Sequence, residues 1–310
     1  MPETKHALPY EEFKPLILKL VSASLGADAS ATVRRFQRNN GTALDGIVVR
    51  HDGEDAAPVV YLDGYYESFL NGESPEILAK RILETAGSAR ESRPETVPGL
   101  SDFGNVRDRV VFRLVSAEKN ADRLEEVPHV PFLDLAVTFH VLLSLDDGYD
   151  TSFMIQNEHM DAWKTDPREL YSLALSNTPR LLGWDMKNLK DVLAMLGAPD
   201  AEGDKDGAFP LYVLTNKTKV HGASAVLYEG LLPRIADEIG DDLWILPSSV
   251  HETLLVPKSA CPDALELSLM IREVNKTQVP EEDVLSDHPY LFTRGTRTAA
   301  MPDGTSGMAA

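Results

Sequence analysis

FLDLAVTFHVLL, from Phe132 to Leu143, constrains the fold more than any other stretch of the chain. Leu133, Leu135, Val137, Phe139, Val141 and Leu143 alternate with the remaining residues, so an extended chain carries all six on one side. Asp134, Thr138 and His140 fall on the other side, with Phe132, Ala136 and Leu142. A half-polar strand of this kind suits an antiparallel sheet, because strands of a parallel sheet are buried on both faces. Asp146-Asp147-Gly148 then turns the chain toward Ser152–Gln156, a hairpin partner.

The elements around this strand follow no strict βαβ alternation. Tyr10–Leu25 is expected to be a helix, with Phe13, Leu16, Ile17, Leu20 and Val21 on one face and Gly26 as its stop. Extended runs follow at Val33–Gln37, Leu44–Arg50 and Pro58–Leu62, the first two joined by Asn39-Asn40-Gly41. Ser74-Pro75-Glu76 opens a helix reaching about Ala86. Residues 87–101 hold two prolines and no apolar period, which predicts a linker. Beyond it, strands are expected at Val110–Val115, Leu211–Asn216, Leu243–Pro247, Glu252–Pro257 and Tyr290–Thr293. Helices are expected at Asn157–Trp163 (capped by Asn157), Asp166–Ser176, Met186–Gly197, His221–Gly240 (broken near Gly230–Pro233) and Ala264–Asn275. Residues 198–208 read as a mobile loop.

This order predicts an α+β fold of mainly antiparallel sheets covered by helices, in two regions. Residues 1–93 form an N-terminal region of helix, three strands and helix. Residues 102–294 form a C-terminal domain, and 295–310 a disordered tail. GxGxxG and the GxxxxGK[ST] phosphate loop are both missing.

Composition narrows the function classes. One cysteine, Cys261, allows neither an internal disulfide nor a thiolate zinc finger. The N-terminal stretch lacks a signal-peptide apolar core, and the longest apolar runs are far short of the roughly 20 residues of a membrane span. A cytoplasmic location is expected, with no membrane partner. Net charge is −19. Residues 1–93 hold 11 Lys/Arg against 14 Asp/Glu, and the remainder 19 against 35. So acidic a surface repels phosphate backbones, and no nucleic-acid partner is expected. Solubility explains the charge most simply; a basic protein partner, or mimicry of DNA toward a DNA-binding protein, is the sharper alternative.

Two polar blocks stand out. LWILPSSVHETLLV, 243–256, holds Ser248, Ser249, His251 and Glu252 between apolar runs. Ser249 and His251 share a side of an extended chain, with Cα atoms roughly 6.6 Å apart. Nucleophilic catalysis needs hydroxyl and imidazole in hydrogen-bond contact and a third group to orient the ring. Residues two apart on a strand rarely meet that demand. A turn whose hydroxyls satisfy backbone amides is the plainer reading. The second block, TNKTKVHGASA, 215–225, places Asn216, Lys217, Lys219 and His221 before a helix start at Gly222, where a small anion could bind. The plainer reading there is close helix–sheet packing with solvated lysines. If LWILP pairs beside LYVLTN, the loops 216–222 and 248–252 meet. The candidate ligand-binding residues are therefore Asn216, Lys217, His221, Gly222, Ser249, His251 and Glu252. No catalytic residue, metal site or cofactor is assigned. HExxH is absent, and Asp134 and His140 lie roughly 20 Å apart along an extended chain, too far for a dyad.

LDGIVVR with PVVYLDGYYESFLNGES, then VPHVPFLDLAV, LYSLALSNTPRL, LYVLTNKTKVHGASAVLY, WILPSSVHE and EDVLSD resemble a bacterial domain-of-unknown-function family found in gut anaerobes and some mobile elements. The resemblance covers about 10–294. A fainter similarity over 150–257 runs to a second uncharacterised bacterial family. These resemblances imply the order of elements and single out the two polar blocks, and they bring no reaction or cofactor. The leading expectation is a cytosolic, non-catalytic binding or regulatory protein acting in a mobile-element context. The alternatives are a small-molecule or phosphoester-handling enzyme at the 216–222 and 248–252 loops, and an acidic DNA mimic.

Overall fold

The computed structural model describes residues 8–53, 57–91, 102–146, 149–189, 210–261, 263–302 and 306–309. The chain divides into two compact units, Met1–Thr96 and Val97–Ala310. The fold is α+β with open antiparallel sheets.

The first unit runs α1 (Tyr10–Ala23), β1 (Ala29–Gln37), β2 (Ala43–His51), β3 (Val59–Tyr61), α2 (Asp63–Leu70) and α3 (Pro75–Glu91). The strands lie in the order β1-β2-β3, all antiparallel. Phe13, Ile17 and Val21, one helical face of α1, are fully buried against Ile47, Val49, Leu78 and Ile82. Asn40 and Gly41 take φ of 58° and 68°, the left-handed pair that turns β1 into β2. Helix α3 runs on to Glu91, so residues 87–91 are helical where a linker is predicted; the rest of that segment lies outside the described residues.

The second unit contains α4 (Phe103–Val106), β4 (Val110–Ser116), α5 (Ala121–Leu124), β5 (His129–Phe132), β6 (Leu135–Asp146), β7 (Tyr149–Met154), α6 (Asn157–Trp163) and α7 (Pro167–Leu182). It continues with β8 (Asp185–Asn188), β9 (Tyr212–Thr215), a 3-10 segment Gly222–Leu227, α8 (Leu231–Ile239), β10 (Leu243–Leu246), β11 (Thr253–Pro257), α9 (Ala264–Thr277), β12 (Tyr290–Thr293), β13 (Thr298–Ala300) and β14 (Ser306–Ala309). One sheet has β4 and β5 on either side of β6, with β7 continuing along β6 beyond β5. The other has seven strands in the order β14-β13-β12-β10-β11-β9-β8. A shared core joins them: Phe112, Val137 and Phe139 of the smaller sheet cluster with Leu214, Ile245, Leu255 and Phe292 of the larger, and with Leu170 and Ala174 of α7. Leu267 and Ile271 of α9 pack on Trp244, Leu246 and Val256 of the larger sheet.

Several local expectations change. The stretch 132–143 is two strands, because Leu133 takes φ 55° and turns β5 into β6 at Leu133-Asp134. Its polar side is buried too, with Thr138 and His140 at 1% and 5% exposure. Met186–Asn188 belong to strand β8 rather than a helix, and 190–209 lie outside the described residues. Gln156, not Asn157, caps α6; its backbone N–H donates to His159 Nδ1, while Asn157 Nδ2 donates to Glu125 O. The tail expected to lack order contributes β13 and β14, because Leu291–Thr293 offer Thr298–Ala300 a strand to pair with.

Candidate functional site

The loops 216–222 and 248–252 meet, though not by the pairing that the sequence suggests. Strand β10 does not lie beside β9; β11 stands between them. The 248–252 loop is the connection from β10 to β11, and β11 pairs antiparallel with β9, Thr253 opposite Leu214. The start of β11 therefore faces the end of β9. Thr215 Oγ1 donates to His251 O at 2.8 Å, and Ala223 N donates to Val250 O at 3.1 Å.

Gly222 makes this junction possible. A Cβ there would stand 2.1 Å from Thr215 Oγ1 and 2.6 Å from both Asn216 N and His251 O. Any side chain would force the loops apart. Asn216 is fully buried and shapes the 216–222 loop from within. Its Nδ2 donates to Val220 O at 2.8 Å, and its Oδ1 accepts from Thr218 Oγ1 at 3.0 Å. Lys219 and His221 take φ of 59° and 51°, a left-handed backbone uncommon outside glycine and asparagine. Lys217 leaves the junction: its aliphatic stem lies over Gly183, and its amide donates to Leu182 O at 3.1 Å.

The continuous helix expected from His221 is a 3-10 segment, Gly222–Leu227, followed by α8. All six residues of that segment are buried. The Ala223 amide, which an anion at a helix start would use, is taken by Val250 O.

Ser249 and His251 sit in a turn. The His251 amide donates to Ser249 Oγ at 3.1 Å, so the hydroxyl caps the corner. His251 uses both ring nitrogens. Nδ1 accepts from the His221 amide at 3.3 Å, and Nε2 faces Asp283 Oδ1 at 3.3 Å. The two imidazoles of His221 and His251 lie 5.7 Å apart, tilted by 30°. The hydrogen bond to Asp283 holds His251 above its ordinary pKa, against a smaller effect of burial. A second proton would have to sit on Nδ1, where the His221 N–H now points, so protonation strengthens one contact and breaks the other. Glu252 is raised as well, by desolvation and to a lesser degree by the charge of Asp283. It makes no hydrogen bond or ion pair among the described residues.

Asp283 belongs to a segment, residues 282–287, that carries no catalytic or ligand-binding motif in the sequence. Residues 283–286 run antiparallel to 247–250: Val250 N donates to Asp283 O at 2.8 Å, Leu285 N to Ser248 O at 3.1 Å and Ser286 N to Pro247 O at 2.9 Å. Ser286 Oγ donates to Asp134 Oδ2 at 2.7 Å, and the buried Tyr290 hydroxyl donates to Asp134 Oδ1. The same segment borders a cleft of about 520 Å³ shared with α9 and Lys119. No sequence motif marks that cleft, because its residues come from three separated stretches. Among the described residues, no three His, Cys, Asp or Glu side chains gather as metal ligands, and no helix is long and apolar enough to cross a membrane.

A family model matches residues 10–294, most of the chain and parts of both units. The chain belongs to DUF5688, a family of unknown function. The DUF5688 match takes in both polar blocks, the EDVLSD segment and the cleft. No curated protein and no solved structure matches the chain.

Proposed function

We propose that this DUF5688 chain is a cytosolic, non-catalytic binding protein, and that the meeting of the 216–222 and 248–252 loops is a structural joint. One observation carries this reading: the fold already occupies the groups that acyl or phosphoryl chemistry would need there. The Ser249 hydroxyl serves the His251 amide, and both imidazole nitrogens of His251 are engaged. A general base must be free to take a proton from its substrate. The single buried cysteine, Cys261, is consistent with a reducing compartment.

The test is stability. Ser249→Ala and His251→Gln should each cost about 1–3 kcal/mol, because each strands a partner that is buried or partly buried. Urea denaturation measures both. Unchanged midpoints in both variants would remove the reading.

Glu252 favours a second reading, an enzyme acting on small molecules or phosphoesters. A half-buried carboxyl with a raised pKa, beside His251 and Asp283, has the character of a general acid. Loss of a turnover in Glu252→Gln with stability unchanged would support it over the first.

A further inference from the structure

The peptide that joins Val220 to His221 is held by a side chain on each side. Its N–H donates to His251 Nδ1 at 3.3 Å, and its carbonyl accepts from Asn216 Nδ2 at 2.8 Å. His251 can accept at Nδ1 only while its ring is neutral, with the proton on Nε2, which faces Asp283 Oδ1 at 3.3 Å. The geometry is therefore that of the neutral ring. His221 has φ 51° and ψ 31°, a left-handed backbone that a residue with a side chain keeps only where its surroundings hold it.

A proton added to His251 goes to Nδ1. Two N–H groups then point at each other across 3.3 Å. A half-turn of the 220–221 peptide replaces the N–H by the Val220 carbonyl, which accepts from the new Nδ1–H. The same half-turn carries φ of His221 from 51° to about −130°, a sign open to any residue. The cost falls on Asn216, which is fully buried and gives up Val220 O. While His251 is neutral, it and Asn216 both favour the present orientation. Once His251 is charged, of the two only Asn216 does. The contacts that close the joint are untouched by the turn: Thr215 Oγ1 stays on His251 O, Ala223 N on Val250 O and Ser224 Oγ on His221 O.

We propose that the 220–221 peptide is a proton-driven two-state switch, with its N–H toward His251 when that ring is neutral and its carbonyl toward it when the ring is charged. The proposal rests on the reading of the joint as structural and adds a moving part to it. The charged and titratable groups that face His251 are Asp283 from the 281–287 segment, Glu252 next in the chain, Arg113 on β4 and His221. His140 on β6 lies within electrostatic reach of His221. The hydrogen bond to Asp283 outweighs burial and holds His251 above its ordinary 6.5, so the switch turns above that pH, and the flipped state fills as pH falls.

Labelling the whole chain with ¹³C-carbonyl valine and ¹⁵N histidine isolates this peptide, because valine precedes histidine only at 220–221 and 250–251. In an NMR titration from pH 9 to 5.5, the Val220 carbonyl and His221 amide signals should move together, with the midpoint at which the His251 ring titrates. Crystals at pH 9 and at pH 5.5 should show the Val220 oxygen on Asn216 and on His251 respectively. Asp283→Asn removes the charge that favours the proton and should lower the midpoint by about one pH unit or more. His251→Gln takes up no proton and should abolish the change; if it does not fold, Asp283→Asn carries the test alone. Peptide signals that stay in place while the ring titrates, a Val220 oxygen on Asn216 at both pH values, or a midpoint indifferent to Asp283→Asn would each overturn the switch. Any of these leaves the structural joint standing where Ser249→Ala and His251→Gln still lower the urea midpoint; unchanged urea midpoints remove the joint reading whatever the peptide does.

Discussion

His140 shows how a single residue can set the pH response. It is buried among Val111, Thr138 and Met154 on the sheet face opposite the shared core, with Nε2 3.3 Å from Thr138 Oγ1. Burial, and then the charge of Arg113, push its pKa well below the ordinary 6.5. The unfolded chain therefore takes up this proton first. Its effect on stability is absent above about pH 6.5 and grows as pH falls from there toward the depressed folded value. His251 has the opposite sign. Its raised pKa makes a contribution that is complete below pH 6.5 and lost as pH rises through the folded value. His140 is the more enclosed of the two and should dominate. Urea midpoints should fall between pH 6.5 and 5, and His140→Gln should abolish the fall, whereas the loss due to His251 belongs to higher pH, above 6.5. A fall that persists in His140→Gln would assign it elsewhere. From sequence alone, His140 could be placed on the polar side of a strand, but that side could not be known to be covered. Ser249 and His251 were legible as a corner because hydroxyls two residues before a histidine cap amides by local geometry. Asp283, the partner of that imidazole, was not, since it lies 32 positions further on and only tertiary pairing brings it back.

At the scale of elements, strand β4 is the informative case. It lies at the edge of its sheet, where unpaired amides invite association. Helix α7 covers that edge. Thr178 Oγ1 accepts from the Phe112 amide at 3.1 Å and donates to Ala174 O at 2.7 Å. Asn177 Nδ2 donates to Val110 O at 3.1 Å. Thr178→Val keeps the shape and strands the buried amide, so it should cost about 1–3 kcal/mol. Thr178→Ser should recover most of the loss, and equal midpoints for Val and wild type would refute this account. The helix itself was legible: Asp166-Pro167 is a cap and first turn, and Asp166 Oδ1 accepts from the amides of Arg168 and Glu169, each at 2.9 Å. Its end was not, because α7 continues through Pro179 to Leu182. Proline normally stops a helix by losing an amide, and packing of Leu182 with Val111 and Leu142 outweighs that local preference here. The 3-10 segment at 222–227 is the converse, where a helical pattern is tightened because Gly222 must touch two backbones at once.

At the scale of the molecule, each unit has a core of its own. Ile82 is fully buried among residues of the first unit alone. Ile82→Ala should lower the unfolding free energy of that unit by about 2–5 kcal/mol. Calorimetry should then show one transition moving down while the transition of the second unit stays in place. A single shifted transition would mean that the two cores melt as one. The antiparallel α+β class was legible because period-two runs and helical runs alternate without βαβ order. The sheet sequence was not, since strand neighbours are chosen by side chains far apart in the chain. Residues 283–286 face two ways in this architecture, holding the imidazole corner on one side and walling the α9 cleft on the other. Mutational drift in that short ribbon is thus taxed twice: a change that suits the corner must also leave the neighbouring hollow its contour, and the two cannot be retuned separately.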